Sequence, residues 1–222
     1  MIRVFLQLAL FMAPWPLRRW CLCRLFGFKI APTAKIGFSL LLVEQAAIGE
    51  SCHIGHLTIV KGLRRLQMDE FSTLGNLNWV TGFPRAIGGR FLVEKDRDPV
   101  LFMARHAAIT HRHYIDCTDR IDIGAFTTMA GWGSQILTHA IDLEENRQSC
   151  SPVNIGSYCF IGTRTVLLKG SSLPDKSVLA AGSVLTRAMT ESGTLYAGVP
   201  ASALKKLNEQ DKYFTRRTGH VV

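Results

Sequence analysis

Apolar residues recur at every sixth position through most of the chain. From Ile155 the sixes read Ile155, Ile161, Leu167, Leu173, Leu179 and Leu185, all aliphatic. The fifth place of each six holds Cys159, Thr165, Ser171, Ser177 and Ser183, all small, and Gly156 and Gly162 take the second place in the first two. The same period runs through Ile36, Leu42, Ile48, Ile54, Val60 and Leu66, with Gly37, Gly49 and Gly55 following three of them. After a phase slip come Met68, Leu74 and Val80. Met103, Ile109, Ile115 and Ile121 form another run, and a two-residue slip leads to Ile123 and Met129.

A period of six excludes an amphipathic helix, because it scatters the aliphatics around a 3.6-residue turn. It also differs from the period of two of an ordinary sandwich strand. A short strand every six residues, with one aliphatic pointing inward, predicts a triangular solenoid whose coils bury their aliphatics on one another. Small residues and glycine fit tight corners. Two segments, 84–100 and 138–152, lack the period and predict loops leaving the solenoid. The chain divides into a helical segment over 1–30, the solenoid over 31–200 and a tail over 201–222.

Val4 to Leu17 is apolar except for Gln7, but Pro14 and Pro16 interrupt its end. It is shorter than the ~20 residues of a spanning helix, and no small-x-small cleavage site follows Met12. Leu17, Trp20, Cys21, Leu25 and Phe28 then recur at helical spacing, with Pro16 at a helix start. Two readings fit this stripe. One is a pair of short helices in a bilayer interface, touching it through residues 1–28 with Trp15 and Trp20 at headgroup depth. The other is a helical cap on the protein's own core. In the tail, Leu204, Leu207 and Phe214 on one side predict a closing helix over 201–217, covering the open strand edges.

The chain has 222 residues, 47% hydrophobic and 19% charged, which is ample for a core and unlike a disordered chain. Its net charge is +9, of which residues 1–35 supply +6 and no acid. A segment both basic and apolar suits an anionic membrane surface better than nucleic acid, and no nucleic-acid-binding motif is present. Six cysteines form no CxxC pair and read as reduced, packed thiols. No Walker or Rossmann glycine motif appears, which argues against nucleotide hydrolysis and hydride transfer.

The repeat [LIV]-G-x-x-[small]-x resembles the hexapeptide signature of left-handed parallel β-helix acyltransferases, over about residues 30–205. The C-terminal stretches Phe160-Ile161-Gly162-Thr163 and Ala180 to Arg187 are similar to segments of galactoside- and maltose-type acetyltransferases, and Ala197-Gly198-Val199-Pro200-Ala201 resembles their closing A-G-x-P-A stretch. The resemblance implies an all-β solenoid with N- and C-terminal helices, a homotrimer, and acetyl-CoA as co-substrate with no metal. It makes His139, at the exit of the second loop, the general base. It makes Thr163 and Ala181 liners of the pantetheine arm, together with Gly162 and Gly182, and brings Thr186 and Arg187 to the nucleotide end. Relatives carry Lys where this chain has Arg187. A basic residue usually follows the A-G-x-P-A stretch; here Ser202 stands in that place, so Lys205 is the nearest substitute. Trp132, in Gly131-Trp132-Gly133, flanks the acetyl group or fills the core.

Asp142, Glu145 and Arg147 on the loop orient His139 or hold the acceptor. Asn78 and Trp79 suit a sugar's hydroxyls and apolar face; an asparagine ladder fits Asn78 equally well. His111 and His113, two apart, would share one face of a strand, with His106 close by and His53 and His56 earlier, but no acidic or His partner stands at a convincing spacing for zinc. The basic leader Trp20 to Ile30 resembles those of exopolysaccharide-type O-acetyltransferases. The expected activity is direct acetyl transfer to a hydroxyl of a sugar or lipid-linked saccharide, in the cytoplasm, with peripheral contact at the inner membrane face. Three alternatives stand beside it: an N-acetyltransferase for a nucleotide-linked amino sugar, a zinc enzyme like the γ-type carbonic anhydrases, and a non-catalytic trimeric platform.

Overall fold

The structure is a computed structural model that describes residues 2–84 and 96–219, with side chains from Val4 onward. Among the described residues, short strands, parallel except for the last, stack into three sheets of seven, nine and seven strands. Successive strands of the chain fall on successive sheets, so the sheets are the three faces of a left-handed parallel β-helix. The core is a column of aliphatics along each face. On the third face Leu41, Val60, Val80, Ile115, Ile136, Leu167 and Leu185 are at most 2% exposed. Each inward side chain is covered by its counterpart one coil above and below, which is why the period is so strict.

The phase slips have a simple cause. Strands Arg65–Met68, Val100–Met103 and Ile121–Ile123 of the first face each bury two or three residues, such as Leu66 with Met68. There a coil takes 20 residues, as from Ile48 to its partner Met68, instead of the 18 from Ile36 to Ile54. The break at 138–152 is an antiparallel hairpin, His139–Asp142 with Arg147–Cys150, expelled from the solenoid. Most of the 84–100 loop lies outside the described residues. Arg97 anchors its described ends, donating to the Phe83, Thr118 and Pro84 carbonyls.

The small residues of the fifth place point inward and do more than permit a turn. At the corner between the second and third faces they form a ladder. The backbone N–H of Thr58 donates to Ser39 Oγ (2.9 Å), that of Asn78 to Thr58 Oγ1 (3.1 Å) and that of His113 to Asn78 Oδ1 (2.9 Å). The N–H of Ser134 donates to His113 Nδ1 (3.2 Å), and that of Thr165 to Ser134 Oγ (3.2 Å). Each side chain accepts the otherwise unpaired N–H of the next coil, as burial requires.

Two helices precede the first coil. α1 spans Ile2–Ala9 and α2 spans Trp15–Phe26, started by the prolines and ended by Gly27 in the left-handed conformation at φ 71°. The C-terminus corrects the sequence reading. Residues 201–206 are a strand, Ala201–Lys206, antiparallel to Thr194–Gly198, which itself extends the second face. An open parallel edge offers unpaired N–H and C=O groups, and a returning strand satisfies them better than a helix. Leu204 points outward, and helix is confined to α3, Lys212–Thr215, where Phe214 is buried.

Two predictions follow from stacking and from the ladder. A Cβ on Gly124 would lie 2.4 Å from the Gly156 backbone of the next coil. Gly124→Ala should therefore cost about 1–3 kcal/mol, read as a lowered denaturant midpoint at unchanged slope. His113 can accept from Ser134 only while neutral, and burial, with the nearby His111 charge, lowers its pKa to about 4 from the ordinary 6.5. The unfolded chain takes up this proton below pH 6.5 and the folded chain only near 4, so stability falls as pH drops through that window. The expected loss is roughly 2–3 kcal/mol. Urea melts at several pH values check it, and His113→Asn should flatten the acid slope.

Candidate active site

The third face begins and ends at two corners, and the residues with chemistry gather at both. At its far edge, where the chain turns to the first face, Thr81, Asp116, Leu137 and Leu168 stack in register. His139 follows Leu137 by two residues, at the root of the expelled hairpin. His139 Nδ1 lies 2.6 Å from Asp116 Oδ2. Asp116 is 9% exposed, and the same carboxylate accepts from the Thr118 hydroxyl (2.6 Å), the Thr138 hydroxyl (3.1 Å) and the Thr138 N–H (3.0 Å).

Burial pushes the Asp116 carboxyl up, but hydrogen bonds from His139, Thr118 and Thr138 outweigh it and hold its pKa below the ordinary carboxylate value. An ionised Asp116 can only accept, so Nδ1 donates and Nε2 carries the lone pair. The Phe83 ring meets the imidazole edge-on, with centroids 5.6 Å apart. An oriented imidazole with its lone pair on the outer nitrogen can take a proton from an approaching hydroxyl or amine.

Asp116 escaped the sequence reading, which looked for the orienting group on the loop. One signal was present: an acid immediately after the inward Ile115, one coil before Thr138. The loop residues instead brace the hairpin. Asp142 and Arg147 are cross-strand partners with Nε and Oδ2 4.0 Å apart, and the Glu145 N–H donates to Asp142 Oδ1 at 3.2 Å. His139 pairs with Cys150 at the opposite end of this hairpin. None of the three orients the imidazole.

Thr186 and Arg187 lie on the His139 edge, between the third-face strand Val184–Leu185 and the first-face bridge at Ala188. Both are exposed. Trp132, Thr163, Ala181 and Gly182 lie instead at the opposite edge of the third face, about 15 Å away along the strands. There Trp132 is 59% exposed, and Thr163 Oγ1 donates to its carbonyl at 2.8 Å. The turn Gly198–Ala201 stands at that edge too, with the Gly198 N–H on Ser183 Oγ. The expected coenzyme residues thus form two columns on one chain.

Three expected residues have other places. Gly162 is buried, and a Cβ there would meet Ala181 N at 2.5 Å, so it serves coil stacking and not a ligand. Asn78 is 1% exposed; its Nδ2 donates to the Thr110 carbonyl and its Oδ1 belongs to the corner ladder, which removes it from an acceptor site. Lys205 is exposed on the terminal strand of the second face, opposite Leu195, on neither edge. Trp79 remains on the outer surface of the third face, 44% exposed, with Lys61 Nζ 5.3 Å from its ring centroid.

The histidine pair is likewise corrected. Arg112 between them has φ 59°, which breaks strand alternation. His113 is wholly buried and His111 is exposed, its Nδ1 accepting from the Asn76 N–H at 2.8 Å. Among the described residues no three His, Cys, Asp or Glu side chains cluster as metal ligands do.

No protein-family profile matches the chain. Galactoside O-acetyltransferase of Escherichia coli (strain K12) is 32% identical over 74 residues, 33% of this chain and 36% of that protein. The chain therefore spans little more than a third of that relative's length. The polysialic acid O-acetyltransferase OatWY superposes with a TM-score of 0.59 at 18% identity, covering 81% of this chain and 84% of that one. AntD, an N-acyltransferase from Bacillus cereus crystallised with dTDP and 3-hydroxybutyryl-CoA, gives 0.51 at 11% identity, covering 82% and 84%. The repeat, the coil it forms and these likenesses agree on the fold, a left-handed parallel β-helix, and the matched stretch is similar to part of a galactoside O-acetyltransferase.

Proposed function

We propose that the protein is an acetyl-CoA-dependent O-acetyltransferase acting on a sugar hydroxyl, in surface-polysaccharide biosynthesis, with His139 as general base. The observation that carries this reading is the 2.6 Å contact of His139 Nδ1 with Asp116. It turns an edge histidine into an oriented base whose imidazolium form has a buried carboxylate beside it. The named activities of the galactoside and polysialic acid enzymes support a saccharide acceptor.

In this reaction Nε2 of His139 takes the hydroxyl proton as the acceptor oxygen attacks the thioester carbonyl carbon. The tetrahedral adduct collapses, the new C–O bond remains, the C–S bond breaks, and the thiolate of CoA leaves with the proton from the imidazolium. No acyl-enzyme forms. Asp116 stays ionised and stabilises the imidazolium.

The two columns divide the coenzyme's needs. Arg187 offers a guanidinium for a phosphate on the His139 edge, and Thr163, Ala181, Gly182 and Trp132 offer a narrow groove for the pantetheine arm on the other. One chain holds them apart, so we assign the slot to the junction of two copies in a homotrimer, the His139 edge of one facing the Thr163 edge of the next. Trp79, Asp142, Glu145 and Arg147 border the acceptor's approach. An amine acceptor on a nucleotide-linked sugar is the second reading, favoured by the AntD likeness, and the same base serves it.

His139→Ala should lower kcat by about 10²–10⁴ while leaving the melting temperature and oligomer size unchanged. Asp116→Asn should cost about 10–100-fold, chiefly in kcat, because it loosens the base and not the substrates. Steady-state acetylation of a sugar panel, with calorimetric titration of acetyl-CoA, checks both. Wild-type rates in the His139 variant, or no acetyl-CoA binding near one site per chain, would overturn the assignment.

A further inference from the structure

The leader caps the first coil with only part of its apolar surface: Leu22, Phe26 and Phe28 enter the core. α1 meets the solenoid through a polar side chain: Gln7 Nε2 donates to the Leu41 carbonyl at 2.6 Å and its Oε1 accepts from the Leu41 N–H at 2.9 Å. α2 does so partly through cations. Arg18 Nη1 donates to the Gly37 carbonyl at 2.6 Å and Nη2 to that of Ser39, while Arg19 donates to the Ile30 and Ala31 carbonyls. These groups close the unpaired carbonyls of the first coil.

Many of the other large apolar side chains are left outside. Phe5 is 68% exposed, Leu8 50%, Met12 73%, Leu17 51%, Trp20 57% and Leu25 56%. A concentration of large apolar side chains at one end of a folded chain marks a surface that meets something. Charge says what. Arg24, Lys29 and Lys35 are exposed around it, and the first 35 residues hold no acid. A second copy would bring these cations against themselves, whereas an anionic headgroup layer complements them. No described helix is long and apolar enough to cross a membrane, and helices of 8 and 12 residues suit lying in its surface.

We propose that α1 and α2 dock on an anionic lipid bilayer, with Phe5, Leu8, Met12, Leu17 and Trp20 entering the interface. The register fixes what this does to the candidate site. Leu42, Lys61, Thr81, Asp116 and Leu137 are successive partners along one edge of the third face. Four steps of about 4.8 Å set His139 roughly 20 Å from the leader. A cavity of about 220 Å³ opens on that same edge, lined by Val4, Gln7, Leu41, Leu63 and Pro84, next to the Phe83 that meets His139. This spacing suits an acceptor sugar held at the membrane by a lipid at its far end, a consequence that rests on the acetyl-transfer reading.

The docking itself is tested without activity. The full chain is sedimented with vesicles of phosphatidylcholine, with and without phosphatidylglycerol, and its oligomer size is measured by light scattering. Binding to the phosphatidylglycerol vesicles is expected, weakened by salt and by omission of the anionic lipid. A folded Phe5→Ser/Leu8→Ser/Trp20→Ser variant should bind at least about 10-fold more weakly. Arg24→Gln/Lys29→Gln, at two exposed positions, should weaken binding to anionic vesicles alone. A wild-type chain that stays in solution overturns the proposal, as does equal binding by wild type and the serine variant. A variant that changes oligomer size with no vesicle binding in wild type overturns it in favour of a contact between copies. Loss of acetylation with vesicle binding intact would count against the transferase reading alone.

Discussion

Every coil of this solenoid must close a buried corner, and the side-chain acceptor that each coil offers to the next coil's N–H is what makes the corner possible. A parallel β-helix buries backbone at each turn, where the strand ladder is interrupted. An unpaired N–H there costs about 1–3 kcal/mol, and the chain repeats the corner coil after coil. The column Ser39, Thr58, Asn78, His113 and Ser134 answers this with four residue types that share one property, an acceptor atom near the backbone. Neutral His113 belongs to this column, so its burial is structural and its low pKa follows from its place.

The third face then sets where chemistry can lie. Its strands are three residues long at most, so both corners stay close to the outer surface while the interior is filled by aliphatics. The chain is expelled as a hairpin where Thr138 and Asp116 already bond across coils, and His139 inherits that rigid neighbourhood. Asp116 holds the imidazole because the coil below delivers a carboxylate to the same edge. Residues close in sequence at the end of one coil and the start of the next fall on opposite edges, which is why the residues proposed for the coenzyme stand apart on one chain.

The leader obeys a different balance. The first coil has no predecessor to bond its carbonyls, so Arg18, Arg19 and Gln7 turn inward to meet them. Leu22 and Phe26 still reach the core, but Phe5, Leu8, Met12, Leu17 and Trp20 are turned out. The same end of the molecule that lacks a coil thus presents both apolar side chains and unopposed positive charge.

Sequence alone carried the solenoid and the break that becomes the hairpin, because a period of six suits one inward aliphatic per short strand; it set Leu42 in the inward series where the structure buries Leu41. It also singled out His139 as a candidate, through its position at the exit of a break. It missed Asp116, since partners a full coil apart have no fixed spacing once coils vary from 18 to 21 residues, and more where a loop is inserted. It misplaced Asn78 and Gly162, whose residue types suit a ligand or a corner equally well. It read the tail as a helix because a strand that pairs with an exposed edge has no periodicity of its own. Composition made the leader apolar and basic. Only the tertiary structure decided which of those side chains face the protein, because that choice is set by the bare carbonyls of the first coil and not by the helix itself.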